Sequence, residues 1–125
     1  MSKSIMKIHH LTSVCSLVFS PCLSHPLQAV VGLDNGSIYC WDLQMGQRGQ
    51  LGRLPVAHAG PILALDWCNT PGSSNVGDTI GADRSWIVSG GLDHTVKVWD
   101  LTTSGMSVHI AHQPTYTLHP SFFVC

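Results

Sequence analysis

An all-β fold assembled from a repeated four-stranded antiparallel unit is what this sequence predicts, and three observations carry it. Residues 86–101, WIVSGGLDHTVKVWDL, read as a β-hairpin: Ile87 and Val88 open one strand, Gly90 to His94 supply turn residues, and Val96, Val98 and Trp99 alternate with Lys97 in a second. A second copy lies 58 positions upstream, placing Trp41-Asp42 on Trp99-Asp100, Asn35 on Asp93, Ile38 on Val96 and Gly32 on Gly90. Closer to the N-terminus the separation is 48, pairing Phe19 with Trp67 and His10 with His58. The difference falls between Trp67 and Trp86, where CNTPGSSNVGDTIGADRS is rich in Pro, Gly, Ser and Asn and lacks apolar periodicity, as an insertion would.

The first unit begins near His10, with an apolar strand over 14–19, a loop containing Pro21 and Pro26, and a second strand over 28–32. Asp34-Asn35-Gly36 is a tight-turn sequence, because Asn and Gly tolerate the positive φ such turns need, and a third strand follows over 37–43. Asn35-Gly36-Ser37 also matches a glycosylation sequon, but inside a hairpin it reads as turn chemistry. Polar residues 45–52 suit a surface loop, and 53–56 are expected to form a short outer strand, where Pro55 is tolerable only at an edge. Residues 61–67 make the next inner strand, apolar except at Asp66, as fits a strand with neighbours on both faces. After the insertion, 86–90 and 95–101 are strands, and 108–118 is expected to supply an outer strand and the approach to a further unit. The expected division is a lead-in at 1–9, one repeat at 10–57, a second at 58–118 with an insertion at 68–85, and the start of a truncated third at 119–125.

Composition narrows the function classes. The chain has 125 residues, 44% hydrophobic and only 10% charged, a globular balance. Net charge is −1 and no basic run occurs, so a phosphate-tracking nucleic-acid surface is unsupported. Five cysteines, at 15, 22, 40, 68 and 125, form no CxxC pair, which argues against a disulfide framework or zinc ribbon and for a reducing compartment. The eight histidines show no metal-binding spacing, and no cofactor is expected. No apolar run approaches the ~18–20 residues of a membrane span. Lys3 and Lys7 precede an apolar stretch as in a signal peptide, but Val14, Leu17 and Phe19 occupy the slots of Ile62, Leu65 and Trp67 in the next repeat, so that stretch is already used as a strand.

A His nine residues before an aromatic, then a Gly-Asp turn, then a strand ending Trp-Asp resembles the WD repeat of β-propellers, whose blades span ~40–45 residues. The resemblance covers roughly residues 10–119 and implies a partial propeller: two four-stranded antiparallel blades and the start of a third. In that family an entrance His, a second-strand Ser or Thr, a turn Asp and a third-strand Trp form a hydrogen-bonded tetrad. Here the matching residues are His58, Ser89, Asp93 and Trp99. The first repeat departs from the pattern: His10 and Trp41 match, Asn35 stands in the Asp position, and Val31 replaces the hydroxyl. The same Ser-His-Asp residue types could make a hydrolase triad, yet no nucleophile elbow accompanies them and Ser89 lies in a strand expected to be buried.

The wording at 51–68, 89–103 and 111–122 is similar to the fungal restriction of telomere capping family and to the related WD-repeat subunit of the SEA complex, which is associated with the vacuole or lysosome and regulates nutrient signalling to the TOR kinase. This resemblance implies a non-catalytic scaffold whose partners are other protein subunits of a multiprotein complex. It implies no nucleic acid, no small-molecule substrate and no direct membrane insertion, with a cytoplasmic location peripheral to the vacuole membrane. Family members are much longer, so the chain is expected to be a truncated or fragmentary product. A rival scaffold reading is a substrate receptor of a cullin ubiquitin ligase. That class often carries Arg two positions after the WD dipeptide, where this sequence has Gln44 and Thr102.

Overall fold

The computed structural model describes residues 7–21, 27–70, 84–104, 107–110, 114 and 116–118. Within them the chain makes two antiparallel sheets. Sheet one orders β1 (Val14–Phe19), β2 (Gln28–Leu33), β3 (Ile38–Asp42) and β4 (Gln50–Leu54) side by side. Sheet two orders β5 (Ile62–Thr70), β6 (Arg84–Gly91), β7 (Val96–Ser104) and β8 (Ser107–Ile110), and β9 (Tyr116–Leu118) also pairs with β7. Consecutive strands pair as neighbours, so the fold is built almost entirely from hairpins.

The turns form where the sequence can support them. Between β2 and β3 the Leu33 N–H donates to the Ser37 carbonyl at 3.0 Å, and Gly36 adopts φ 87°, a conformation open to glycine. His94 occupies the corresponding place between β6 and β7 with φ 67°, the one positive φ at a non-glycine residue among those described.

Alternation along the strands then sorts the side chains. Val30, Ile38 and Cys40 point to one face of sheet one, and Val31, Tyr39 and Trp41 to the other. The first set joins Leu54, Ala57, Ile62, Trp67, Ile87, Trp99, Leu101 and Ile110 in the main core. That core lies between the sheets, with β1 packed on β5 and β4 on β8. Burial pushes the Cys40 thiol up to about 12, with the nearby Asp42 carboxylate acting in the same direction, so this cysteine is held as the neutral thiol. The opposite face of sheet one holds a smaller cluster of Val31, Leu33 and Trp41, flanked by Ile8, Tyr39 and Leu43.

Four details differ from the sequence expectations. The outer strand of sheet one is Gln50–Leu54 rather than 53–56, and it stops before Pro55, which has no N–H to contribute to the ladder. The polar loop before it contains a 3-10 segment, Leu43–Arg48, whose start is capped by the Asp42 carboxylate accepting from the Gln44 N–H at 3.0 Å. The expected outer strand within 108–118 is two short strands, β8 and β9, both laid along β7. The ends of the 68–85 insertion are strand, since Cys68 pairs with Trp86, Asn69 with Ser85 and Thr70 with Arg84. Residues 71–83, most of the 1–9 lead-in and the expected third-unit start at 119–125 lie outside the described residues.

Candidate functional site

Two features could carry function: a buried polar chain in sheet two and an apolar groove on sheet one. The polar chain is assembled from four places. β6 supplies Ser89, β7 supplies Trp99, and the β6–β7 turn supplies Asp93. His58 comes from the connection between the sheets. That connection is anchored because the Gly36 carbonyl accepts from the N–H groups of Ala57 at 2.8 Å and His58 at 3.1 Å.

The hydrogen bonds run in one direction. The Trp99 Nε1–H donates to Ser89 Oγ at 2.9 Å, and the Ser89 hydroxyl lies 2.7 Å from His58 Nε2. His58 Nδ1 faces the Asp93 carboxylate at 2.9 Å. Only one tautomer satisfies all of these contacts: Nδ1 carries the proton toward Asp93, and Nε2 accepts from Ser89. Asp93 also takes the Ala59 N–H at 3.1 Å and the Thr95 hydroxyl at 2.7 Å. Burial opposes its charge, but the donors from Thr95, His58 and Ala59 outweigh that and hold its carboxyl well below the usual carboxylate range. Gly91 lets the turn approach so closely, because a β-carbon there would sit 2.5 Å from His58 Nδ1.

Thr95 is a member that the family pattern did not supply. Its signal was nevertheless present in the repeat: Asn35-Gly36-Ser37 falls on Asp93-His94-Thr95, so each turn pairs a side-chain acceptor with a hydroxyl two residues on. Lys97 closes the outer side, donating to the Ala57 carbonyl at 2.8 Å with its ammonium 5.9 Å from the centre of the Trp99 ring.

Sheet one repeats only half of this arrangement. The Trp41 Nε1–H donates directly to His10 Nε2 at 3.0 Å, with no hydroxyl between them because Val31 fills the Ser89 position. Asn35 is not brought to His10. It turns its amide oxygen onto the Ser37 N–H at 3.1 Å and onto the Ser37 hydroxyl, capping its own turn. Burial lowers the pKa of His10 from 6.5, which favours the neutral ring that Trp41 requires. The unfolded chain therefore binds a proton more readily, and stability should fall as pH drops below about 6.5. Denaturant melts at neutral and mildly acidic pH are expected to show this loss in the native chain and a smaller one in His10→Gln.

As chemistry, the polar chain has the order of a Ser-His-Asp triad but not its access. Ser89 is 0% exposed and His58 1%, and the Ser89 oxygen already receives the indole N–H. No grouping of three or more His, Cys, Asp or Glu side chains suited to a metal occurs among the described residues.

The second feature is a groove of about 730 Å³ on the face of sheet one turned away from sheet two. Val14, Leu17, Phe19 and Leu27 line it together with Trp41 and His10. Leu17 and Phe19 are 54% and 52% exposed, leaving a contiguous apolar face open on this side of the sheet.

Comparison with known proteins agrees with this geometry. Residues 2–42 and 49–100 match the family model described as WD domain, G-beta repeat. The human GATOR2 complex protein WDR24 is 36% identical over 70 residues, covering 56% of this chain. The Danio rerio protein of the same name is 34% identical over 71 residues, covering 57%. The matched stretch is 7% of the length of each relative. With two hairpin-built antiparallel sheets, a Trp-Asp pair in the third strand of each, and a family match over most of its length, the chain belongs to the WD40 repeat family.

Proposed function

We propose that this chain is a non-catalytic WD-repeat scaffold, part of a SEA- or GATOR2-type complex that carries nutrient signals to the TOR kinase at the vacuole surface. The observation behind this reading is the 36% identity, over 70 residues, to a protein named as a GATOR2 complex protein. On this reading residues 10–57 and 58–118 are the two repeat units. His58, Ser89, Asp93 and Trp99 hold the second unit rigid, while His10, Asn35 and Trp41 give the first a looser version. Partners are other protein subunits, gripped by loops and strand edges. Attachment to the vacuole would be peripheral, through those partners; no helix among the described residues is long and apolar enough to cross a membrane.

Affinity purification of the endogenously tagged protein, followed by mass spectrometry, tests the reading. Co-recovery of the other subunits of such a complex is the expected result. Recovery of cullin-ligase components instead would favour the substrate-receptor reading, and recovery of the chain without partners would remove both. A fluorophosphonate probe is expected to leave Ser89 unlabelled in the folded protein, because the probe cannot reach a hydroxyl with no exposed surface.

A further inference from the structure

The 58-position repeat makes each face of one sheet the counterpart of a face of the other, and of each counterpart pair the structure covers one face and leaves the other open. On sheet one, Val30, Ile38 and Cys40 lie against sheet two and are 0% exposed. Their counterparts on sheet two, Val88, Val96 and Val98, are only half-buried. In the other direction, the Trp99 face of sheet two lies against sheet one, while its counterpart, the Trp41 face of sheet one, borders the open groove.

Two glycines show where a partner is absent. A β-carbon on Gly32 would come within 2.7 Å of Ile62, which packs across from sheet two. Gly90 is the counterpart of Gly32, and a β-carbon there would have no atom of a described residue within 4 Å. The counterpart of Ile62 is Val14, which is 52% exposed on the wall of the groove.

We propose that a second copy of this chain covers the groove, placing its valine face, Val88, Val96 and Val98, against Val14, Leu17 and Phe19 so that Val14 seats over Gly90 as Ile62 seats over Gly32. The contact reproduces between molecules the packing already made within one, so its shape and polarity are those of an interface this sequence is shown to form. It is heterologous, joining different faces of two copies, and therefore propagates from copy to copy until the rotation closes a ring. Propellers of about 4–8 blades would need about two to four copies of a two-sheet unit. This inference does not depend on membership of any larger complex.

Light scattering of the purified 125-residue chain across a concentration series tests it. The expected result is a mass that rises with concentration to a small multiple of one chain. Leu17→Lys spoils the groove at an exposed position. Val88→Lys spoils the valine face and sets the new cation opposite Asp66 across the β5–β6 ladder, which helps it fold. Each variant alone is expected to stay at the mass of one chain. Mixed together they should pair and stop at two, because the intact valine face of the first fits the intact groove of the second. A melting curve close to that of the native chain shows that each variant is folded, and Gly90→Leu, which fills open space on the same face, replaces Val88→Lys if that variant does not fold. A native chain that stays at single-chain mass at every concentration overturns the proposal, as does association that survives both variants or a mixture of folded variants that fails to pair.

Discussion

Trp99→Ala is expected to cost about 3–5 kcal/mol, the range for removing a large aromatic from a packed core. The indole is 1% exposed and sits in the cluster that joins the two sheets, so its loss opens a cavity where β7 meets sheet one. It also takes the N–H donor from Ser89 and the ring from beneath Lys97. Against a typical domain stability of about 5–15 kcal/mol this is a large fraction, and urea melts should show a much lower midpoint or no cooperative transition. Trp99→Phe separates the contributions: it keeps most of the packing and loses the hydrogen bond, for about 1 kcal/mol plus the smaller volume. Trp41→Ala should cost less than Trp99→Ala, because Trp41 belongs to the smaller cluster beside the open groove.

Asp93→Ala is expected to cost about 1–3 kcal/mol, since it leaves the buried His58 Nδ1–H without its carboxylate acceptor. His58 Nδ1 and the Ala59 N–H both lose a carboxylate oxygen, and the Thr95 hydroxyl loses its acceptor as well. The effect should depend on pH in a defined direction. The Asp93 carboxyl is held below its ordinary value, so the stability it supplies is present above about pH 4 and is lost as pH falls through its folded-state value. The native chain should therefore lose more stability than Asp93→Ala between pH 4 and strongly acidic conditions. Asp93→Asn should fall between the two, because an amide oxygen can serve a turn of this kind, as Asn35 does in sheet one. An unchanged melting temperature for Asp93→Ala would mean that His58 is held by something other than this carboxylate.

Much of the fold is local, and so it could be read along the chain. Strands announce themselves by alternation, as at Val96, Lys97 and Val98, and tight turns by Asp34-Asn35-Gly36. Where two residues of one element decide an outcome the sequence is a good guide; where distant neighbours decide it, it is not. The outer strand of sheet one starts at Gln50 because Trp41 and Cys40 offer it a ladder there, and it ends at Leu54 because Pro55 cannot continue that ladder. Nothing in 108–118 by itself says that two short strands will share β7.

The candidate site divides in the same way. His58, Ser89, Asp93 and Trp99 are named by the resemblance to the WD repeat, since only the His and the Trp recur in the first repeat, and the structure brings all four within hydrogen-bond reach. The repeat signals the bond between Thr95 and Asp93, but that Asn35 stays out of contact with His10 has a reason the chain order does not reveal. A short polar side chain takes whichever partner lies within about 3 Å, and only the packed turn fixes which one that is. The sequence by itself determined the repeat, the strands and the residue types that could pair. Tertiary structure alone decided which sheet face is covered and which stays open, because burial depends on what packs from outside the segment rather than on the segment's own pattern.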